Sequence, residues 1–177
     1  MFNKMSKSPF FQISSTETKG IYDKIVNTFD VSRLEQELVI KYEKFPANLP
    51  SLDDVLDKIF EEYYDNLGNE GYRYNTEGTK VFEKYLVVCP KWEERPWTKG
   101  LGDTSFNKIN TINIHIYLNT TDLSMDYFCP FNDDIMTVPF SQGTVVVYPD
   151  FWGSIFKHCS TYENPIAYLR CVAGIPR

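Results

Sequence analysis

The spacing of apolar and polar positions changes character part-way along the chain. Up to about residue 67 it is helical. Ile21, Ile25, Val26 and Phe29 recur at helical intervals behind Ser14 and Glu17, which stand at capping-box spacing, and this predicts a first helix ending before Asp30. Leu34, Leu38 and Tyr42 predict a second helix, although the β-branched pair Val39-Ile40 sits poorly in it; Pro46 and Pro50 close it. The clearest element covers residues 51–67. Ser51 is the expected cap, Leu52, Val55, Leu56, Ile59, Phe60, Tyr63, Tyr64 and Leu67 form one apolar stripe, and Gly68 is the expected C′ glycine.

Beyond residue 72 the period falls to two. Strands are predicted at 72–74, 81–89, 109–118, 125–131, 144–148 and 168–173, separated by Gly, Pro, Asn and Asp. Helices first and many short strands afterwards predict an α+β domain in which N-terminal helices pack on a β-sandwich or barrel. The expected organisation is an arm over residues 1–13 and one domain over 14–177, with helices in about 14–67 and strands in about 72–175. The arm mixes Lys, Ser and Pro with Phe2, Phe10 and Phe11 and shows no period. It reads either as a loosely packed terminus or as a segment that docks its phenylalanines on a neighbouring subunit.

Composition narrows the function classes. At 177 residues and 42% hydrophobic, the chain supports one sizeable core and not two domains. A net charge of −6 gives no general basic footprint for a nucleic-acid backbone, so no nucleic-acid partner is expected. Cys89, Cys129, Cys159 and Cys171 are widely spaced, without a CxxC pair, which points to reduced thiols and a cytoplasmic setting. No apolar run approaches the roughly 20 residues of a membrane span, and Met1-Phe2-Asn3-Lys4 opens no signal peptide.

Chemistry concentrates in the second half. In residues 112–118 strict alternation puts the isoleucines and Leu118 on one face and Asn113, His115 and Tyr117 on the other. That strand ends in Tyr117-Leu118-Asn119. Gly143-Thr144-Val145-Val146-Val147-Tyr148-Pro149 follows, then the aromatic turn Phe151-Trp152, then His158, then Arg170 in a closing apolar strand. In order and type these residues resemble the prolyl-hydroxylase branch of the 2-oxoglutarate/Fe(II) oxygenases over roughly residues 85–175. The resemblance implies a double-stranded β-helix, or jelly roll. It also implies an iron site of a His-x-Asp/Glu pair with a distant His, and 2-oxoglutarate gripped by a basic residue of the last core strand.

Under this resemblance His158 is the distal metal ligand, Arg170 the carboxylate anchor, and Tyr117, with Asn113 on the same strand face, lines the cosubstrate pocket. Leu101-Gly102-Asp103 stands where the proximal His-x-Asp belongs, so Asp103 is a candidate ligand and Leu101 is not. A slipped register puts Ser105-Phe106-Asn107 there instead, neither a strong donor pair. The only histidines are His115 and His158, so a two-histidine site requires His115 as the third metal candidate.

The bland readings are a hydrogen-bonded core His115, a loop His158, a loop Asp103, and an Arg170 ion-paired to Asp103, Asp126 or a bound acid. Trp92-Glu93-Glu94-Arg95-Pro96-Trp97 reads as a lid or a partner-binding loop.

Three functions follow. The first is an iron-degenerate, non-catalytic jelly roll for binding or assembly, with protein partners or a homo-oligomer. Jelly rolls are frequent in viral capsids, and the Asn, Lys, Ile, Tyr and Phe usage is similar to that of AT-rich genomes, phages among them, which extends the location to a virion. The second is an active Fe(II)/2-oxoglutarate hydroxylase with an atypical ligand set. The third is a barrel that holds a small organic acid on Arg170 and Tyr117 without metal.

Overall fold

The computed structural model describes residues 8–18, 20–72, 80–90, 98–99, 111–129, 133–150, 153–157 and 165–174. In chain order these form β1 (Gln12–Ser15), α1 (Ile21–Thr28), β2 (Leu38–Lys41), α2 (Asp53–Asn69), β3 (Lys80–Cys89), β4 (Thr98–Lys99), β5 (Ile112–Tyr117), β6 (Ser124–Cys129), β7 (Asp134–Pro139), β8 (Thr144–Pro149), β9 (Gly153–Lys157) and β10 (Ile166–Gly174). A six-stranded sheet runs β1-β8-β5-β10-β3-β2 and a four-stranded sheet runs β4-β9-β6-β7. Every pairing in both is antiparallel. From β4 onward the chain passes repeatedly from one sheet to the other, the jelly-roll habit.

The alternation in β5 explains where the core sits. Ile112, Ile114, Ile116 and Leu118 join one buried cluster with Ile21 and Ile25 of α1 and Leu56, Ile59, Tyr63 and Leu67 of α2. Tyr117 belongs to a second cluster with Met125, Tyr127 and Cys129 of β6, Met136 and Val138 of β7, Phe140, Tyr148 and Tyr168. The large sheet is therefore buried on both faces, and every residue of β5 is buried, the polar ones included. At roughly 1.5–3 kcal/mol for each fully buried large apolar side chain, the four α2 residues alone hold that helix in place.

Several expectations are corrected by tertiary pairing. Ser14 does not cap a helix: it lies in β1, facing Val145 of β8, and α1 begins only at Ile21 behind Gly20. The ladder offered by Val145, Val146 and Val147 outweighs a local capping box. The predicted second helix is replaced by β2, where Val39 and Ile40 pair with Val87 and Leu86 of β3 and a 3-10 turn follows at Tyr42–Lys44. β-Branched side chains favour the pleated surface over the helix.

α2 matches its apolar stripe, but its N-cap is Leu52 and not Ser51, with no side-chain cap bond; Ser51 Oγ, one residue earlier, accepts the Asp53 N–H at 3.3 Å. The C′ glycine is Gly71, not Gly68. Gly71 has φ 89°, its N–H donates to Gly68 O at 3.0 Å, and Tyr72 N–H donates to Leu67 O at 3.0 Å, the paired bonds of a Schellman motif. Tyr72 thus ends a helix and does not begin a strand. β7 and β9 were not expected. Asp133 is an exposed turn residue, Asp134 opens β7, and Met136 and Val138 point inward while Ile135 is 55% exposed.

Residues 8–15 are tied to their own chain. The Phe11 ring is buried 5.2 Å from that of Tyr127, and Phe10 lies 4.9 Å from Tyr72. Tyr63 Oη donates to Phe10 O and Gln12 Nε2 donates to Tyr63 O, each at 3.1 Å. Phe10 and Phe11 are therefore used within the chain, and Phe2 lies outside the described residues. Cys89, Cys129 and Cys171 are buried free thiols. Among the described residues no helix is long and apolar enough to cross a membrane.

Candidate functional site

The inner face of the large sheet carries the polar residues singled out by the alternation. Arg170 of β10 is the register neighbour of His115 on one side and of Tyr85 on the other, while Tyr168 neighbours Tyr117. Arg170 and Tyr117 thus share a face but stand two residues apart along the strands, about 7 Å. Asp103 and His158 lie outside the described residues, as do Leu101, Ser105, Asn107 and the Trp92-to-Trp97 segment.

His115 is only 2% exposed. Its Nδ1 is 3.1 Å from Tyr127 Oη and its Nε2 is 3.2 Å from Tyr148 Oη. Tyr127 Oη is in turn 2.8 Å from Tyr117 Oη. Three phenols and one imidazole form a single hydrogen-bonded chain from β5 to β6, back to β5 and on to β8. The Tyr117 ring stacks on Phe140 at 4.1 Å, and the rings of Tyr148 and Tyr168 stand 5.2 and 5.1 Å from the imidazole.

Burial pushes the His115 pKa down to about 3, with the Arg170 charge adding to the effect. Burial also raises Tyr117, although its bond to Tyr127 opposes this, and carries Tyr127 and Tyr168 well above the usual phenol range. The imidazole is neutral and these phenols protonated around neutral pH.

The other expected pocket residues divide. Asn113 Nδ2 donates to the Asp150 carboxylate at 2.9 Å, both residues being buried. Arg170 lies with its guanidinium carbon 5.5 Å from the centre of the Tyr85 ring, and among the described residues its buried Nε has no hydrogen-bond partner. Asp126 accepts from Thr137 Oγ1 at 2.6 Å and sits on the opposite face of β6 from Tyr127.

Asn119, read only as the end of a motif, is a clamp. Its Nδ2 donates to Pro165 O at 2.7 Å, and its Oδ1 accepts the Ala167 N–H at 2.9 Å. Leu118 N–H donates to Ala167 O at 2.9 Å beside it. Asn119 thus fixes β10 near its start, at Ala167, three residues before Arg170. Asn119→Ala strands the Ala167 N–H in a fully buried position and is expected to cost about 1–3 kcal/mol. Urea unfolding combined with amide exchange at Ala167 checks this: an unchanged midpoint with Ala167 still protected would rule out the clamp.

Tyr127, Tyr148, Tyr168 and Phe140 were missed as site residues. The available signal was the inward phase of each strand, which applied to β6, β8 and β10 puts a tyrosine at every crossing near His115.

No family model matches the sequence, and no curated protein matches it. Solved structures do. A prolyl-4-hydroxylase of Pseudomonas putida superposes with a TM-score of 0.61 at 10% identity, over 95% of this chain and 94% of that one. A viral collagen prolyl hydroxylase from Paramecium bursaria Chlorella virus-1, in its 2OG complex, gives 0.59 at 9% identity over 95% and 97%. A Trichoplax adhaerens prolyl hydroxylase bound to a hypoxia inducible factor peptide gives 0.61 at 8% identity over 96% and 84%. The chain has the 2-oxoglutarate/Fe(II) oxygenase fold.

Iron and 2-oxoglutarate, which that fold implies, can be set against the residues present. Among the described residues no three of His, Cys, Asp and Glu come together to hold a metal. The one described histidine has each ring nitrogen within hydrogen-bond distance of a tyrosine hydroxyl, which leaves no lone pair for iron. The described residues alone therefore supply no iron ligand set, and the expected ligands Asp103 and His158 lie outside them. For an acid the described residues offer one buried donor in need of a partner among them, the Nε of Arg170.

Proposed function

We propose that the protein is an iron-degenerate, oxygenase-like jelly roll that serves binding or assembly and not oxidation, with protein partners or copies of itself, as a component of a virus or phage in the host cytoplasm or the virion. The observation that carries the reading is how His115 is used. Both its nitrogens lie within hydrogen-bond distance of tyrosine hydroxyls, of Tyr127 and Tyr148, and the Tyr168 ring stands 5.1 Å from it. Leu101 at the position of the proximal histidine supports it from the sequence, since two protein ligands hold iron weakly where three are usual. The chlorella virus neighbour adds that this fold is found in a viral protein.

One observation favours a second reading. The unpartnered, buried Nε of Arg170 suits a carboxylate, as expected both for an active Fe(II)/2-oxoglutarate hydroxylase using Asp103 and His158 and for a metal-free acid-binding barrel. Anaerobic titration with Fe(II) and 2-oxoglutarate separates them, read by the charge-transfer absorption of the chelated keto acid and by calorimetry. The assembly reading expects neither a band nor heat. A saturable band lost in His158→Ala establishes the enzyme. Heat without a band, abolished by Arg170→Ala, establishes the acid-binding barrel.

A further inference from the structure

The four-membered chain in the core obeys a proton count. A neutral imidazole has one N–H and one lone pair, so of Tyr127 and Tyr148 one must donate to His115 and the other must accept from it. Three arrangements satisfy the distances. In the first, protons point from Tyr117 to Tyr127, from Tyr127 to Nδ1, and from Nε2 to Tyr148. In the second, every donor is reversed: Tyr148 donates to Nε2, Nδ1–H donates to Tyr127, and Tyr127 donates to Tyr117. In the third, Tyr148 donates to Nε2 and Tyr127 accepts from both Nδ1–H and Tyr117, which leaves the equally buried Tyr127 O–H without an acceptor.

The two ends are not equivalent. In the second arrangement the Tyr117 hydroxyl must donate to something other than Tyr127. Tyr117 is fully buried, its ring is stacked on Phe140, and its hydrogen-bond partner among the described residues is Tyr127 alone. A buried O–H without an acceptor forfeits its hydration with no return, whereas an unused acceptor lone pair costs far less. In the first arrangement Tyr117 donates to Tyr127 and the released donor is the Tyr148 hydroxyl. Besides those to His115 and Tyr127, Tyr148 makes a further interaction within the protein and leads directly into Pro149 and the buried Asp150, whereas Tyr117 has Tyr127 as its hydrogen-bond partner.

We infer that His115 is locked as the Nε2–H tautomer at the centre of a one-way hydrogen-bond relay, Tyr117 to Tyr127 to His115 to Tyr148, that delivers its last phenolic donor at the Asp150 end of β8. The charged groups around it point the same way. The Arg170 cation across β10 opposes a second proton on the ring, and the surrounding Tyr117, Tyr127, Tyr148 and Tyr168 are phenols. The relay holds whether or not a ligand binds beside Arg170, so it stands apart from the functional reading above.

Long-range nitrogen–proton correlation spectra of the full chain labelled at histidine nitrogen test it, with His158→Gln used to assign His115. The expected spectrum has protonated Nε2 and bare Nδ1, unchanged from about pH 5 to about pH 8. Protonated Nδ1, an averaged pair, or a doubly protonated ring in that range overturns the inference. One variant probes direction. Tyr117→Phe removes only the first donor; Nδ1–H would then leave the buried Tyr127 hydroxyl without an acceptor, so the Nε2–H tautomer is expected to stay as it was, and a switch contradicts the direction assigned. The wild-type spectrum decides the tautomer even if a variant fails to fold.

Discussion

Gly143→Ala is expected to destabilise the fold by more than about 3 kcal/mol. Gly143 has φ 83°, in the left-handed region where an L-residue costs roughly 1–2 kcal/mol. It stands third in a turn closed by Thr144 N–H on Ser141 O, the position at which type II and type I′ turns, unlike type I, require positive φ. A Cβ there would lie 2.6 Å from the Thr16 carbonyl oxygen. That oxygen has nowhere to go. Thr16 N–H donates to Gly143 O at 2.8 Å, Gly143 N–H donates to Tyr117 O at 2.8 Å, and Ser15 is in register with Thr144, so β1, β5 and β8 are tied at one point.

Gly71→Ala is the internal control: φ is 89° but the space around it is open, so only the backbone term applies. Urea unfolding with unchanged m-values should rank Gly143→Ala well below Gly71→Ala. Equal losses would mean that β1 does not approach β8 as closely as described.

The glycine illustrates what a sequence carries and what it hides. Gly143 is conspicuous at the head of Gly143-Thr144-Val145-Val146-Val147-Tyr148-Pro149, yet the backbone that makes it necessary lies 127 residues earlier. Elements whose signal is their own periodicity were legible, α2 with its apolar stripe and β3, β5, β6, β8 and β10 with theirs. Elements created by a neighbour were not. β1 exists because β8 has a free edge, and β2 because β3 does, and in both places local helical cues lost to ladder hydrogen bonds.

The site was legible to the same degree. Period two in residues 112–118 sufficed to point His115 and Tyr117 inward, and the oxygenase-like order of Tyr117, His158 and Arg170 anticipated a fold that its neighbours share at only 8–10% identity. Alternation of burial defines such a sandwich, and it survives replacement of nearly every residue. The contents of the interior are not fixed by that pattern. Whether an inward tyrosine lines a pocket or fills it depends on which inward residue faces it from the other sheet, and Tyr127 meets His115 through a pairing between sheets that no spacing encodes.

The neutral His115 also makes stability depend on pH in a direction that can be worked out. Its pKa falls from an unfolded value of 6.5 to about 3 in the fold, burial being the main cause and Arg170 the second. Below pH 6.5 the unfolded chain takes up a proton that the folded chain refuses until about pH 3, so stability is full above that window and drains as pH falls through it. The slope from this one group approaches about 1.4 kcal/mol per pH unit. Glu43 enters lower down. Burial raises the Glu43 pKa, but its hydrogen bond and charge interaction with Lys84 carry it below 4.5, so it adds acid loss only beneath that value.

Between pH 4.5 and 6.5 the imidazole therefore contributes and Glu43 does not. His115→Gln keeps an amide donor and acceptor in place of the ring and does not titrate. It is expected to be less stable than the parent at pH 7 and to lose the slope, so that the two curves converge as pH falls. Urea midpoints at half-unit intervals check this. Parallel curves would mean that His115 binds its proton in the folded state as readily as in the unfolded one, which a dry ring between Tyr127 and Tyr148 cannot do.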